Sequence, residues 1–268
     1  MSIVQAFWLG LVQGLGEFLP ISSTGHLDLL QKIFGFTSLD NYMTLDILLH
    51  VGTLAAVVVV YWKRLWNMIV DLFKNPLKSE IWLLIVATIP AVVVALVFDI
   101  NFTTESLGFE FLITTLIIWL ADLVSGVSFE TKEVKWYNAL AMGVMQAVAI
   151  LPGVSRSGAT ISGGIATGLS RKRSADFAFL MSVPAVLGAI VLDLWKHSDK
   201  VMDGTMVAQM GGWMPLLVGV ITSAVFGFLA IKFMLSIVRR VRLTWFGVYT
   251  GILGILILLD QYIFHYFF

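Results

Sequence analysis

The sequence predicts an all-α integral membrane protein with six transmembrane helices and two re-entrant, broken helix pairs, related as an inverted-topology repeat. Three observations carry this prediction. Of the 268 residues, 59% are hydrophobic and 13% charged, and mean hydropathy is +0.92, whereas soluble domains are about 25% charged. Six apolar runs, at 44–62, 81–98, 109–126, 176–195, 213–235 and 245–265, are long enough to cross a hydrocarbon core of roughly 30 Å. Two further apolar stretches are interrupted by dense polar breaks, Gln13 to His26 and Pro152 to Thr160, and polar groups this dense in an apolar solvent require partners.

Residues 3–20 are apolar apart from a few positions that include Gln13 and Glu17, which lie four apart and so share a helical face. Pro20 and the run Ser22-Ser23-Thr24-Gly25 break the pattern. The segment 25–36 is too short to span, so the pair is expected to enter and leave on one side, with its irregular backbone lining a cavity. The next span is interrupted by Thr44, Asp46, His50 and Thr53, the following one carries no charge, and the third has Glu110 and Asp122 near its ends. Asp122 is expected to reach the headgroups. Residues 136–151 are again short and end in Pro152-Gly153-Val154-Ser155-Arg156-Ser157-Gly158. Three spans follow Arg171, Lys172 and Arg173. Pro90, Pro184 and Pro215 predict kinks that neighbouring helices accommodate. Trp62, Trp136, Trp195, Trp213 and Trp245 read as interface anchors.

The order is broken pair, three spans, broken pair, three spans. One fixed offset aligns Gly10 with Gly143, Gln13 with Gln146, Ser22 with Ser155, Thr24 with Ser157 and Gly25 with Gly158. An odd number of spans per unit inverts the second unit, giving repeats of 1–130 and 131–268 within a single membrane domain. Positive-inside counting agrees. Lys63, Arg64, Lys74, Lys78, the Arg171–Arg173 cluster, Arg239, Arg240 and Arg242 fall on the cytoplasmic side, and Asp99, Glu105 and Glu110 outside or close to it. The first pair then opens outward, the second inward, and both termini are external. Formal net charge is zero, which removes the basic footprint of nucleic-acid binding. The absence of cysteine excludes disulfides, thiol catalysis and Cys-ligated zinc. The first basic residue is Lys32, so no basic signal-peptide region opens the chain.

Arg156 at membrane depth needs an anionic partner. Gly153 and Gly158 free the backbone, Ser155, Ser157 and Thr160 supply hydroxyls, and the run opens a helix, so the ensemble suits a phosphate. The alternative is a hinge in which Arg156 only pairs with Glu17. In the first motif, Glu17 and Gln13 offer oxygen ligands for Mg²⁺ or Ca²⁺. Ser22, Ser23 and Thr24 are nucleophile candidates, and His26 is a base or itself a nucleophile. Asp46 and His50, one turn apart, either line the same cavity or pair with each other. Asp28 could orient His26 only if the backbone turns.

Gln13-x3-Glu17-Phe-Leu-Pro-Ile-Ser-Ser-Thr-Gly-His26 together with Pro152-Gly-Val-Ser-Arg-Ser157-Gly-Ala-Thr160 resembles the two signatures of the bacitracin-resistance family of undecaprenyl-diphosphate phosphatases. The likeness extends over the whole chain. It implies release of inorganic phosphate from a polyprenyl diphosphate lipid in the bacterial plasma membrane, in carrier-lipid recycling for peptidoglycan. It also implies a divalent cation, and a site open to the extracytoplasmic side. By position, Glu17 is the motif acid and Gln13 stands where many relatives have Glu. Ser23 and His26 are the nucleophile and proton handler, Arg156 is the phosphate clamp, and Ser22, Thr24, Gly153, Ser155, Ser157 and Thr160 surround the substrate. The expected mechanism has His26 activate Ser23 for in-line attack, and its rival has His26 attack directly. The alternative function is a polyprenyl-phosphate flippase or transporter, since inverted repeats with broken helices are transport architecture. The other membrane lipid-phosphatase class fails, because Ser162 stands where its histidine is required. A homodimer stays open.

Overall fold

The computed structural model describes residues 1–36, 39–97, 106–125, 131, 133–196, 207, 211–238 and 240–266. Asp99, Glu105 and Arg239 lie outside the described residues, as do the side chains of Thr44, Lys78 and Trp195. The helices are α1 (Ile3–Phe18), α2 (Ser23–Ile33), α3 (Leu39–Lys74), α4 (Ile81–Val97), α5 (Leu107–Val124), α6 (Trp136–Val148), α7 (Arg156–Ala166), α8 (Arg171–Lys196), α9 (Trp213–Ile237) and α10 (Thr244–Leu259). Among the described residues there is no sheet, only an isolated bridge between Thr131 and Leu169. Among the described residues, five segments are long and apolar enough to cross a membrane: Leu45–Lys74, Leu107–Val124, Arg171–Leu192, Trp213–Ile237 and Thr244–Phe264. Helix α4 is apolar but only 17 residues long, about 26 Å at 1.5 Å per residue.

Both broken stretches are helix–turn–helix pairs, and they correspond position by position. Helices α1 and α6 start at Ile3 and Trp136, and α2 and α7 start at Ser23 and Arg156, the same offset, with 11 residues in each second helix. The packing is reciprocal: α1 lies along α9, α6 lies along α4, and α5 packs on α10. Small residues permit these approaches, as is usual where lipid gives helices no hydrophobic reason to associate. A Cβ on Gly10 would collide with the Gly219 carbonyl and one on Gly143 with the Ala87 carbonyl; on Gly14 it would stand 2.7 Å from the Ser223 carbonyl oxygen. The main core lies between α1, α3, α6, α7, α8 and α9, where Phe18 meets Phe179 edge-on at 5.3 Å. Pro90 and Pro184 sit inside continuous helices, but Pro215 is in the first turn of α9, where no intrahelical acceptor is lost.

One end of the bundle is tied by charge. Arg64 of α3 donates to Glu80 at 2.9 and 3.1 Å, and Arg173 of α8 reaches the same carboxylate. Arg171 pairs with Asp122 at 3.0 Å and donates to Ser125 at 3.0 Å. Asp122 does not reach for headgroups as expected. It is nearly buried, and its second oxygen accepts from the Thr244 amide and hydroxyl at 2.8 and 2.7 Å, holding the start of α10. The later part of α3, the end of α5 and the starts of α4, α8 and α10 thus meet in one basic region.

Candidate active site

The turns of the two helix pairs face each other and enclose a cavity of about 280 Å³. Helix α2 begins at Ser23 with Ser22 as N-cap, and α7 begins at Arg156 with Ser155 as N-cap. Each cap side chain accepts a first-turn amide, Gly25 N at 3.2 Å and Gly158 N at 3.0 Å. The cavity is lined by Ser22, Ser23 and Thr24 from one helix start and by Ser155, Arg156 and Ser157 from the other, with Glu17 and His50 beside them. Two helix N-termini therefore point into one chamber, and first-turn amides, which lack intrahelical acceptors, favour an anion there.

Glu17 is the hub. Its Oε1 faces the Arg156 guanidinium as an ion pair. Its Oε2 accepts from the Ser23 hydroxyl at 2.7 Å and from Gln13 Nε2 at 3.1 Å, and His50 Nε2 lies 3.4 Å away. The Glu17 side chain is 4% exposed and that of Arg156 23%, so the arginine is the more open partner.

The cradle of the second motif comes from α5. Glu110 Oε2 accepts from Gly153 N at 2.7 Å, and its Oε1 accepts from Ser106 at 2.7 Å. Thr114 accepts from Ser155 N at 2.9 Å and donates to the Gly153 carbonyl at 3.1 Å. A Cβ on Gly153 would strike Glu110 at 2.5 Å, so only glycine lets the loop approach α5 this closely. Glu110 is thus buried against the second motif, and not a charge at the outer surface. The sequence signal for this role is faint, a single carboxylate in the first turn of an apolar helix.

The structure brings together Glu17, Ser23, Thr24, Arg156, Ser155, Ser157 and Ser22, with Gln13 buried behind Glu17. It does not bring His26 to the cavity lining. His26 Nδ1 is 2.7 Å from the Ser22 carbonyl, which can only accept, so Nδ1 carries the proton; Nε2 then accepts from the Tyr249 hydroxyl at 2.7 Å. The imidazole is stacked on Tyr249 and meets Phe111 edge-on. The expected contact from His26 to Ser23 is replaced by the contact from Ser23 to Glu17. Gly153 braces the loop and Thr160 donates back to the Arg156 carbonyl at 2.8 Å, both behind the lining. Asp46 and His50 do not pair through their side chains: His50 Nδ1 donates to the Asp46 carbonyl at 2.6 Å, and the Asp46 carboxylate accepts from Gln31 at 2.8 Å.

Over residues 6–256 the chain matches the family model described as bacitracin resistance protein BacA. It is 42% identical to an undecaprenyl-diphosphatase of Carboxydothermus hydrogenoformans, in an alignment spanning 97% of this chain and 98% of that one. Undecaprenyl-diphosphatase 3 of Bacillus cereus is 39% identical over 98% of both chains. The undecaprenyl-diphosphatase of Halothermothrix orenii is 36% identical over 97% of this chain and 98% of its own. With the signature residues gathered around one cavity and a match across nearly its full length, the chain belongs to the bacitracin resistance protein BacA family.

Proposed function

We propose that this chain removes the terminal phosphate of undecaprenyl diphosphate, yielding undecaprenyl phosphate and inorganic phosphate, and so recycles the carrier lipid of envelope polymers and resists bacitracin. The observation that carries the reading is the single cavity in which Ser23, Glu17 and Arg156 meet at two helix N-termini. Its volume of about 280 Å³ suits a diphosphate and leaves the polyprenyl chain in lipid.

The chain crosses the membrane six times, with α1–α2 and α6–α7 as re-entrant pairs of an inverted repeat. Ala185 lies fourteen residues beyond Arg171, and His50 fourteen before Arg64, about 21 Å along each helix at 1.5 Å per residue. With the basic end cytoplasmic, the cavity sits in the outer part of the bilayer and opens extracytoplasmically.

In the reaction, the diphosphate takes the place of Glu17 on the Arg156 guanidinium. Ser23 Oγ attacks the distal phosphorus, its proton passing to Glu17 Oε2, and the bond from that phosphorus to the bridging oxygen breaks. Undecaprenyl phosphate leaves with that oxygen and takes the proton from Glu17. Water then attacks the phosphoserine, Glu17 accepts its proton, and Ser23 Oγ recovers a proton as phosphate departs. The helix N-termini and Arg156 hold the charge that develops on the phosphoryl oxygens. His26, whose Nε2 lone pair is taken by Tyr249, positions the start of α2 and does not attack. Among the described residues no three His, Cys, Asp or Glu form a metal cage. One carboxylate beside a buried Gln13 Oε1 that accepts no hydrogen bond does fit a cation shared with substrate phosphates. Bound by Glu17 and Gln13, it would neutralise diphosphate charge.

The test is phosphate release from the C55 diphosphate by protein purified in detergent, where sidedness is lost and transport alone would read as zero. Wild type should release phosphate and form an acid-stable labelled phosphoenzyme. Near-normal turnover by Ser23→Ala, or an acid-labile label, would overturn the serine mechanism.

A further inference from the structure

His50 presents to the cavity what His26 does not. Because its Nδ1–H is committed to the Asp46 carbonyl, the neutral ring turns an Nε2 lone pair toward Glu17 Oε2 at 3.4 Å. An imidazole held through its other nitrogen by a backbone carbonyl is the usual arrangement of a metal-ligating histidine. The Asp46 carboxylate, fixed by Gln31, secures the same turn of α3. Gln13, which also meets Oε2, is fully buried and its Oε1 accepts nothing. Rotating that amide exchanges Oε1 for Nε2, 3.1 Å from Glu17 Oε2. Adjacent ligands of an octahedral ion with bonds of about 2.1 Å stand about 3.0 Å apart, close to both separations. The lone pairs also balance: Oε2 has two, one for Ser23 and one for a cation, while in the resting protein Oε1 faces Arg156.

We propose that His50 Nε2 is a nitrogen ligand, with Glu17 Oε2 and Gln13 Oε1, of a divalent-cation site that selects ions accepting imidazole, such as Mn²⁺, over Ca²⁺. This rests on the reading of Glu17 as the cation-binding acid. One carboxylate and one amide make a poor oxygen cage for Ca²⁺, which takes six to eight oxygens, whereas imidazole is a good donor to first-row transition ions.

The experiment uses chelator-stripped, full-length protein in detergent, titrated with Mn²⁺ and followed by electron paramagnetic resonance, with pulsed spectra to detect directly coordinated ¹⁴N. Wild type should bind one Mn²⁺ with one coupled nitrogen. His50→Ala should lose that coupling and bind Mn²⁺ at least about tenfold more weakly, with a smaller change for competing Ca²⁺; His26→Ala should keep both. No Mn²⁺ binding by wild type, bound Mn²⁺ without coordinated nitrogen, or retained coupling in His50→Ala would each overturn the proposal. The wild-type spectrum decides even where a variant fails to fold. Glu17→Gln separates the two levels. If it abolishes Mn²⁺ binding while wild type lacks nitrogen coupling, His50 alone is wrong; if it leaves binding intact, the reading of Glu17 falls as well.

Discussion

Replacing Glu17 by Gln keeps its size and removes its charge, stranding Arg156. Breaking a buried ion pair from one side costs about 3–5 kcal/mol, because the remaining charge is uncompensated. The Arg156 side chain is 23% exposed, so water screens part of this and about 3 kcal/mol is the working value. At roughly 2–4 °C per kcal/mol for a chain of this order of size, the apparent unfolding midpoint in detergent should fall by about 6–12 °C. Arg156→Gln strands Glu17, which is almost sealed from water, and should cost at least as much. The double variant carries neither charge, so its loss should be well below the sum of the two. Thermal melts of the four proteins in one detergent give the cycle directly, and phosphate release should be lost in all three variants. If the single losses simply add, or if Glu17→Gln melts like wild type, the two side chains are not paired in the resting protein.

Identical substitutions at two glycines should act with opposite sign. Gly14→Ala forces a methyl to within 2.7 Å of the Ser223 carbonyl oxygen and should cost about 1–3 kcal/mol; Gly188→Ala meets nothing within 4 Å inside α8 and should gain about 0.5–1 kcal/mol, both read as shifts in midpoint. At Glu80, burial pushes the carboxyl up, but Arg64, with Arg173, outweighs it and holds the group below its usual 4.5. Its stabilisation is therefore complete above that value and lost as pH falls through the lower folded-state value. Glu80→Gln should melt below wild type at neutral pH, and the gap should close as melts are taken below pH 4.5. Thr114→Val leaves the Ser155 amide and loses the bond to the Gly153 carbonyl, which should cost about 1–3 kcal/mol and slow phosphate release, measured as kcat at saturating lipid.

Much of this arrangement is legible in the chain. The break at Pro20 marks where α1 stops, whereas α6 stops at Val148, short of the expected Leu151, and polar runs following an apolar helix place the starts of α2 and α7. That a carboxylate in one break needs the arginine of the other follows from the cost of either alone in lipid, and Glu17 and Arg156 are indeed paired. Which histidine faces the cavity is not legible. His26 lies three residues beyond Ser23, but its direction depends on the rotation of α2, set by a left-handed Ser22 (φ 69) and by Tyr249 in the second turn of α10, far along the chain. His50 lies in a separate span, and its one sequence signal, an Asp–His pair one turn apart, reads equally as a closed couple. The bracing by Glu110 and Thr114 is a contact between α5 and a loop some forty residues away, which periodicity does not encode.

Serines at the two breaks do more than line the cavity. The Ser22 hydroxyl donates to the Pro152 carbonyl at 2.6 Å, and the Ser157 hydroxyl donates to the Leu19 carbonyl at 2.9 Å. Leu19 and Pro152 are equivalent by the repeat offset, Leu19 as the C-cap of α1 and Pro152 in the turn four residues past the end of α6. Each break therefore hydrogen-bonds to the other: the Leu19 carbonyl also accepts locally from the Ile21 amide at 2.7 Å, and the Pro152 carbonyl accepts from the Ser22 hydroxyl across the pair. The same bonds hold Ser22 in its left-handed conformation, a strain of roughly 1–3 kcal/mol, and that turn sets Ser23 Oγ beside Glu17. Folding and chemistry consequently share one requirement. The Ser23 hydroxyl, the proposed nucleophile, is aimed only when the second helix pair is docked, and docking that pair is also what delivers Arg156.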